Sequence, residues 1–193
     1  PDPKSVVTIF TKFQPTLFLG VPTLFAMLLA DKLPEQNPHS IRLSVSAGEP
    51  LPADLLHRWK AKVGTEILDG IGTTEMLHIF VSNQINDIQP GTTGRAVPGY
   101  KVRLINERGE LCSTGEIGIL EVSGPTSAVM YWRQREKTKA TFLGEWTRTG
   151  DNYTMGDDGV MTYSGRNDDM LKVGGIYVSP FEVEGALIKH EAV

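Results

Sequence analysis

The apolar and polar positions in the first half of the chain predict strands that alternate with helices. Three short segments have the apolar run or the two-residue alternation of strands: residues 16–20, 41–46 and 66–72. Helical spacing follows Pro22, which suits a first helical turn, and recurs over residues 53–63, which Gly64 closes. Because helices separate the strands, this order favours a parallel sheet.

The second half of the chain has the pattern of a β-rich region. Strands separated by turns are predicted at residues 100–105, 107–110, 118–122, 153–155 and 160–163, with a short helix at 135–142. A last hairpin over residues 171–178 pivots on Gly174-Gly175. Ser179 and Glu182 then form a capping box, which predicts that a helix follows.

Changes of pattern divide the chain into three parts. We predict an α/β part at residues 1–89, a β-rich subdomain at 90–165, and the start of another domain at 166–193. The chain begins without Met, and its last helical pattern has no closing cap. We therefore expect a piece of a longer protein, whose apolar surface at the cut ends could promote homo-oligomers.

Composition narrows the classes of function. The 193 residues are 40% hydrophobic and 22% charged, with a net charge of −4, which is ordinary for a globular protein and argues against nucleic-acid binding. No apolar run is long enough to span a bilayer, so no membrane insertion is expected. The single cysteine, Cys112, fits a reducing, cytoplasmic setting and a buried structural thiol.

A glycine-rich turn after the third predicted strand carries candidate ligand groups. Asp69-Gly70-Ile71-Gly72 allows close approach of a flat ligand, and Thr73-Thr74-Glu75 offers hydroxyls to oxyanions and a hard oxygen to Mg²⁺. A plain glycine turn before a capped helix explains the same residues. If a helix continues past Glu75, His78 and Ile79 could line a pocket beside the ligand, although a packed histidine is the commoner case.

Further candidates lie on other turns. Gly48 and Glu49 follow a strand end, where α/β sheets bind ligands, although a plain strand–helix turn is simpler. Asp151 comes directly after Thr149-Gly150 and can accept two hydrogen bonds from a ribose diol or form an Asx turn. Arg166 offers a fork of donors for phosphate or ribose oxygens, or is a surface arginine.

The segment after Arg166 has the features of a joint. Asp168 lies between two candidate domains, where a polar residue can absorb a backbone rotation or simply be solvated. Lys172 stands on a predicted strand, where a solvated edge residue is the alternative. Gly174-Gly175 could leave a narrow passage for a chain-like substrate or serve only as a hairpin turn.

Taken together, these motifs resemble the adenylate-forming superfamily of acyl-CoA synthetases, adenylation domains and luciferases. Five motifs in order carry the resemblance: Ser46-Ala47-Gly48-Glu49, Gly70-Ile71-Gly72-Thr73-Thr74-Glu75, Gly94-Arg95-Ala96-Val97-Pro98-Gly99, Thr149-Gly150-Asp151 and Gly165-Arg166-Asn167-Asp168-Asp169. Residues 68–83 and 170–180 look most like benzoate-CoA ligases and related aryl-CoA ligases. The resemblance implies the later part of the large AMP-binding domain followed by the start of the small C-terminal α+β domain.

The resemblance implies an acid–thiol ligase that uses ATP, Mg²⁺ and coenzyme A. A small aromatic acid would attack the α-phosphate of ATP to give an acyl-adenylate and pyrophosphate, and coenzyme A would then displace AMP. By the same resemblance, Gly48, Glu49 and Asp69-Gly70-Ile71-Gly72 border the adenine. Thr74 contacts the α-phosphate, and Glu75 helps to hold Mg²⁺.

The remaining roles are implied in the same way. Asp151 takes the ribose hydroxyls with support from Arg166, and Asp168 matches the hinge of the C-terminal domain. Lys172 and Gly174-Gly175 approach the site for thioester formation. The acyl pocket is implied at five positions: Phe18, Gly70, Gly72, His78 and Ile79.

The sequence also departs from the family pattern. Ile71 stands where many relatives carry an aromatic residue that stacks on adenine. The family's phosphate loop and its adenylation lysine are expected before Pro1 and after Val193, so we expect little adenylation by these residues alone. Two alternatives stay open, an adenylation domain that loads a carrier protein and a non-catalytic nucleotide-binding module. The identity of the aryl acid stays open as well.

Overall fold

The structure, a computed structural model, describes residues 2–30, 40–167, 170–173 and 176–187. The chain divides into two compact units, the first made of residues 1–72 and 81–94 and the second of residues 73–80 and 95–193. The chain passes from the first unit to the second for the last time after residue 94, close to the boundary predicted at residue 90. The boundary predicted at residue 166 coincides with the end of a strand. The three-part division stays a prediction.

Strands alternate with helices in the first unit. Its elements are α1 (Pro3–Phe13), β1 (Leu17–Gly20), α2 (Pro22–Ala30), β2 (Leu43–Ser46), α3 (Ala53–Val63) and β3 (Ile67–Gly72). Strand β2 pairs in parallel with β1 on one side and with β3 on the other. The predicted parallel strands, helices α2 and α3, and the α/β class are therefore confirmed.

Helix α1 is not predicted by the sequence pattern, although its first residues are of the types that commonly begin a helix. Asp2 Oδ2 accepts the backbone N–H of Ser5 at 3.1 Å, and Pro3 occupies the first turn. Val6 and Phe10, four residues apart, are its buried positions. The cap and this narrow apolar stripe together explain why the segment is helical.

Aromatic side chains form the core of the first unit. Phe18 of β1 lies edge-on to Phe10 and to Phe25, with ring centroids 5.0 and 5.1 Å away, and is stacked on Trp59 at 6.0 Å. Phe25 and Trp59 are fully buried. Each such pair contributes about 0.5–1.5 kcal/mol beyond area burial, so the cluster fastens the helices to strand β1.

The second unit is built on an antiparallel sheet. Strand β4 (Ile79–Ser82) has residues in both units. The other elements of the second unit are a 3-10 helix (Thr74–Met76), β5 (Arg95–Ala96), β6 (Lys101–Ile105), β7 (Gly118–Ser123), α4 (Arg135–Thr141), β8 (Phe142–Leu143), β9 (Trp146–Met155), β10 (Met161–Arg166), β11 (Leu171–Val173), β12 (Ile176–Val178) and α5 (Pro180–Leu187). The strand order is β10–β9–β7–β6, with β8 beside β9, and β11 pairs with β12. Both predicted hairpins, β9–β10 and β11–β12, are confirmed.

A buried ion triad connects three strands of this sheet. Glu121 of β7 is only 1% exposed. Its Oε2 accepts Nε and Nη2 of Arg103 at 2.9 and 2.7 Å, and its Oε1 accepts Nε and Nη2 of Arg148 at 3.0 and 2.7 Å. Because both oxygens take paired N–H donors, the cost of burying the carboxylate is compensated. The triad therefore fixes β6, β7 and β9 against one another.

At three places the local structure differs from what the sequence pattern indicates. Residues 107–110 lie in a turn and a bend rather than a strand, because the chain reverses there to return along β6. The helix that begins at Thr74 does not continue to His78, the condition set for its place beside a ligand: it ends at Leu77, whose φ of 72° is left-handed, and His78 leads directly into β4. Cys112 is half-buried rather than buried, and this partial burial raises the pKa of its thiol.

All described helices are short. The longest of them, α1 and α3, have 11 residues each. Within the described ranges, no helix has the length and apolar content that crossing a membrane requires.

Candidate active site

Two predicted motifs meet where β2 and β3 of the first unit end. Ser46, the last residue of β2, is the register partner of Asp69 in β3. The Gly48-Glu49 turn follows β2, and Gly70-Ile71-Gly72 completes β3. Because parallel strands present their carboxyl ends at one edge, this edge is where α/β folds bind ligands.

Gly48 and Glu49 shape this edge in different ways. Gly48 has a φ of 93°, a left-handed conformation that favours glycine. Glu49 Oε2 accepts the backbone N–H of Thr23 at 3.1 Å and the Thr23 hydroxyl at 2.6 Å. The carboxylate thus caps the first turn of α2, where negative charge is favourable, and holds the turn against that helix.

Asp69 is a buried carboxyl group at the same edge. It is 6% exposed, and its Oδ1 has no hydrogen-bond partner in the described part of the chain. Burial raises the pKa of Asp69 to about 7, although the backbone N–H of Gly70 acts in the opposite direction. A ligand N–H that reached this oxygen would supply the hydrogen bond that it lacks.

The residues implied for an acyl pocket have different surroundings. Phe18 packs in the aromatic core, Gly70 is buried, and Gly72 is half-buried. In the second unit, His78 is exposed, while Ile79 is half-buried at the start of β4. Phe18 therefore has a packing role in this structure, and the assignment of the five residues to a pocket stays a prediction.

Glu75 is the acidic side chain of the 3-10 helix in the second unit. Its Oε1 accepts a hydrogen bond from the Tyr131 hydroxyl. Partial burial raises the pKa of Glu75, but this hydrogen bond and the positive charge of Lys137 act against it, and the net pKa lies below its ordinary value. Glu75 is therefore ionised at neutral pH.

The donors around Glu75 fit a Mg²⁺ ion that arrives with a phosphate ligand. Mg²⁺ prefers hard oxygens and usually takes one or two carboxylates together with substrate phosphates and water. Glu75 supplies one ionised carboxylate, and the adjacent Thr74 supplies an exposed hydroxyl. In the described ranges, no group of three or more His, Cys, Asp or Glu side chains could enclose a metal unaided.

Asp151 and Arg166 form an ion pair across β9 and β10. They are register partners, and Arg166 Nη1 lies 3.2 Å from Asp151 Oδ1. Burial raises the pKa of Asp151, and the charge of Arg166 opposes that rise. The charge of Glu75 also raises the pKa of Asp151, although burial and Arg166 have the larger effects.

Backbone contacts hold both ends of this pair. Gly150 has a φ of 80°, and its carbonyl accepts the backbone N–H of Asn167 at 2.9 Å. A Cβ at position 150 would lie 3.4 Å from Arg166 Nη2. Glycine at this position therefore leaves room for the guanidinium beside Asp151.

Four predicted positions near the C-terminus are described in part or not at all. Asp168, Gly174 and Gly175 lie outside the described residues. Lys172 is in β11 opposite Tyr177, and its side chain lies outside the description. The roles expected of these residues stay predictions.

Two side chains that contact the predicted site residues carry no local sequence signal. Tyr131 donates to Glu75, which is 56 residues earlier in the chain, and Thr23 donates to Glu49, 26 residues later. Neither lies in one of the motifs. Only the folded chain brings each pair together.

Comparison with known proteins agrees with the motifs. The AMP-binding enzyme family matches residues 1–132. The chain is 56% identical to the benzoate–CoA ligase of Thauera aromatica, over 100% of this chain and 37% of that protein. This chain therefore spans little more than a third of the length of that relative.

Solved structures give the same result. The chain matches an anthranilate CoA ligase in complex with anthranoyl-AMP at a TM-score of 0.93 and 47% identity. It matches a benzoate CoA ligase from Burkholderia xenovorans at a TM-score of 0.93 and 49% identity. Both matches cover 99% of this chain, and they cover 37% and 38% of the two structures, respectively. The fold is therefore shared with both ligases over almost the whole of this chain.

Proposed function

Because this chain belongs to the AMP-binding enzyme family, we propose that it is part of an ATP-dependent aryl-CoA ligase acting on a benzoate-type acid. The main supporting observation is geometric: Arg166 pairs with the buried Asp151 carboxylate across β9 and β10, and the ionised carboxylate of Glu75 lies in the same unit. A nucleotide with metal-bound phosphates and a ribose diol presents groups complementary to such carboxylates. The 56% identity to a benzoate–CoA ligase supports the aromatic class of acid.

The proposed reaction has two steps. First, a carboxylate oxygen of the aryl acid attacks the α-phosphorus of ATP, the bond from that phosphorus to the pyrophosphate oxygen breaks, and an aryl-adenylate forms. Second, the thiol of coenzyme A loses its proton to solvent and the sulfur attacks the acyl carbon. The bond from that carbon to the phosphate oxygen breaks, and AMP leaves as the thioester forms.

In the first unit, we assign Gly48, Glu49 and the Asp69–Gly72 run to the adenine. The buried Asp69 oxygen is the proposed acceptor for the exocyclic amino group, because it lacks a partner in the described chain. Ile71 offers an aliphatic contact to the ring. Gly48 lets the backbone approach a flat ligand through its left-handed conformation.

In the second unit, we assign Asp151 to the ribose hydroxyls and Arg166 to the orientation of its carboxylate. Thr74 donates its hydroxyl to an α-phosphate oxygen, and Glu75 is the proposed ligand of Mg²⁺. Bound Mg²⁺ supplies neutralisation of the charge that develops on the phosphate oxygens. The ionised state of Glu75 supports this role.

The remaining proposed roles rest on the resemblance of the motifs. Asp168 is the proposed hinge, and Lys172 with Gly174-Gly175 serves the thioester-forming step. The backbone N–H of Asn167 donates to the Gly150 carbonyl. The residue before the proposed hinge is therefore held on β9, and rotation of the C-terminal domain would begin after it. Phe18, Gly70, Gly72, His78 and Ile79 are the proposed acyl-pocket residues, and a cytoplasmic location fits the single cysteine.

The test uses the parent polypeptide, that is, the longest natural polypeptide that contains this sequence. We expect pyrophosphate release from ATP to require Mg²⁺ and benzoate or a hydroxy- or amino-substituted benzoate, and we expect coenzyme A to be converted to the thioester. No release with any of these acids would overturn the proposal. Transfer to a phosphopantetheinylated carrier protein, but not to coenzyme A, would favour an adenylation domain instead.

Two variants test the residues that carry the proposal. Glu75→Gln and Asp151→Asn should each lower kcat/KM for ATP by about 100-fold, a typical loss when one charge-stabilising group is removed. Glu136→Gln is the matched control, since Glu136 is an exposed carboxylate on α4 that pairs with Lys139. This control should leave kcat/KM unchanged.

A further inference from the structure

The segment from Thr126 to Tyr131 is fastened onto the 3-10 helix by three hydrogen bonds. Thr126 Oγ1 donates to the Met76 carbonyl at 2.7 Å, and the backbone N–H of Ala128 donates to the Glu75 carbonyl at 2.7 Å. The Tyr131 hydroxyl donates to Glu75 Oε1. Of the three, only the hydrogen bond from Tyr131 reaches a side chain of the candidate active site.

Tyr131 is itself held from several directions. Its backbone N–H donates to Thr138 Oγ1 at 3.0 Å. Lys137 Nζ lies 4.2 Å from the centroid of its ring, and the ring of Phe142 lies 5.5 Å away. These contacts come from α4 and from the residue that follows it. The phenol is therefore a fixed donor for Glu75.

We propose that Tyr131 is a positioning residue that orients the Glu75 carboxylate for the metal of the metal–ATP complex. This inference rests on the proposed function. A free glutamate side chain loses rotamer freedom when it is ordered. Because the hydrogen bond from Tyr131 already orders the Glu75 side chain in the folded protein, the metal binds a carboxylate that has lost this freedom beforehand. Groups that orient metal ligands commonly change metal affinity by 10–100-fold when they are removed.

The experiment compares Tyr131→Phe with the wild-type parent polypeptide. Phenylalanine keeps the ring that contacts Lys137 and Phe142 and removes only the hydroxyl. Electron paramagnetic resonance with Mn²⁺ and ATP measures the metal affinity of the ternary complex, and calorimetry with metal-free AMP measures nucleotide binding alone. We expect about tenfold weaker Mn²⁺ binding and unchanged AMP binding.

Tyr100→Phe is the matched control. The Tyr100 hydroxyl lies 2.8 Å from Thr126 Oγ1 and so anchors the same segment without touching Glu75. We expect this variant to bind Mn²⁺ with wild-type affinity. Equal losses in the two variants would overturn the proposal, because they would show that the fastening of the segment matters rather than the bond to Glu75.

A double-mutant cycle gives the second readout. If Tyr131 acts through Glu75, Tyr131→Phe should have no effect on Mn²⁺ affinity in a Glu75→Gln background. A loss that persists there, or wild-type Mn²⁺ affinity in Tyr131→Phe itself, would overturn the inference while leaving the proposed function intact. A wild-type protein that binds neither AMP nor Mn²⁺–ATP would overturn both.

Discussion

Arg166 and Asp151 stand directly opposite each other in the antiparallel register of β10 and β9, with Nη1 of the arginine 3.2 Å from Oδ1 of the aspartate. This pairing joins the Thr149-Gly150-Asp151 motif to the Gly165-Arg166 motif. The register between the strands shifts between Tyr163 and Gly165. The shift brings the two charged residues into line, so two motifs that are separate in the sequence act as one.

Replacement of Arg166 by Met should weaken nucleotide binding and lower stability. The arginine side chain is 53% exposed but the Asp151 side chain is only 9% exposed, so the variant leaves a largely buried carboxylate without its charged partner, at a cost of about 1–3 kcal/mol. A carboxylate that loses a charged hydrogen-bond partner is less well oriented, and we expect about tenfold weaker AMP binding by calorimetry.

The control for this variant is Arg95→Met. Arg95 Nη2 lies 2.8 Å from Asp158 Oδ2, in an arginine–aspartate pair of the same unit whose carboxylate is more exposed than that of Asp151. We expect AMP affinity to stay at the wild-type value. Equal losses in both variants would show that general loosening of the unit explains the effect of Arg166→Met.

Gly150→Ala should impair both stability and nucleotide binding, whereas Gly144→Ala should impair stability alone. Both glycines have left-handed φ angles, 80° and 71°, in which alanine costs about 1–2 kcal/mol. A Cβ at 150 would also lie 3.4 Å from Arg166 Nη2, but one at 144 would meet nothing within 4 Å. Urea unfolding and AMP calorimetry on the two variants separate backbone strain from crowding of the ion pair. Equal AMP affinities would contradict the role of Gly150 beside Arg166.

The sequence could predict the features whose signals are local. Gly64 marks the end of α3 because a left-handed residue closes a helix, and Gly156 to Gly159 marks the β9–β10 turn. The motifs of the candidate site could also be identified from the sequence, because they consist of glycine turns and carboxylates at the ends of predicted strands.

Features that depend on distant pairing could not be predicted. Leu77 adopts a left-handed φ of 72°, which leucine does not favour, and the helix therefore ends before His78. Tyr131 contacts Glu75 only because the Thr126 and Ala128 hydrogen bonds lay its segment on the 3-10 helix. No pattern in the sequence encodes that pairing.

Glu121→Gln should be strongly destabilising. The buried carboxylate pairs with Arg103 and Arg148, and removal of its charge leaves two guanidinium groups facing a neutral amide. We expect a loss of about 3 kcal/mol, at the lower end for broken buried pairs because both arginines are partly exposed. Urea unfolding of the parent polypeptide measures the loss. Asp54→Asn, which breaks the exposed pair of Asp54 with Arg58, should change stability by less than about 0.5 kcal/mol.

The buried carboxyl of Asp69 should make stability fall as pH rises from about 4 to about 7. Its pKa is raised from 3.8 to about 7 in the folded protein, so the unfolded state loses this proton first. Between those two values the unfolded state binds fewer protons than the folded state, and stability therefore decreases with pH. Above pH 7 both states are ionised and the contribution is constant.

Asp69→Asn isolates this contribution, because the amide does not titrate. One pKa unit corresponds to about 1.4 kcal/mol, so the difference between 3.8 and about 7 corresponds to up to about 4 kcal/mol. Thermal unfolding of the parent polypeptide and of the variant, at pH 5 and at pH 8, should show the variant gaining stability relative to wild type at the higher pH. A difference in melting temperature that is the same at both values would show that Asp69 is ionised throughout, and that its carboxylate finds a partner when the protein is in solution.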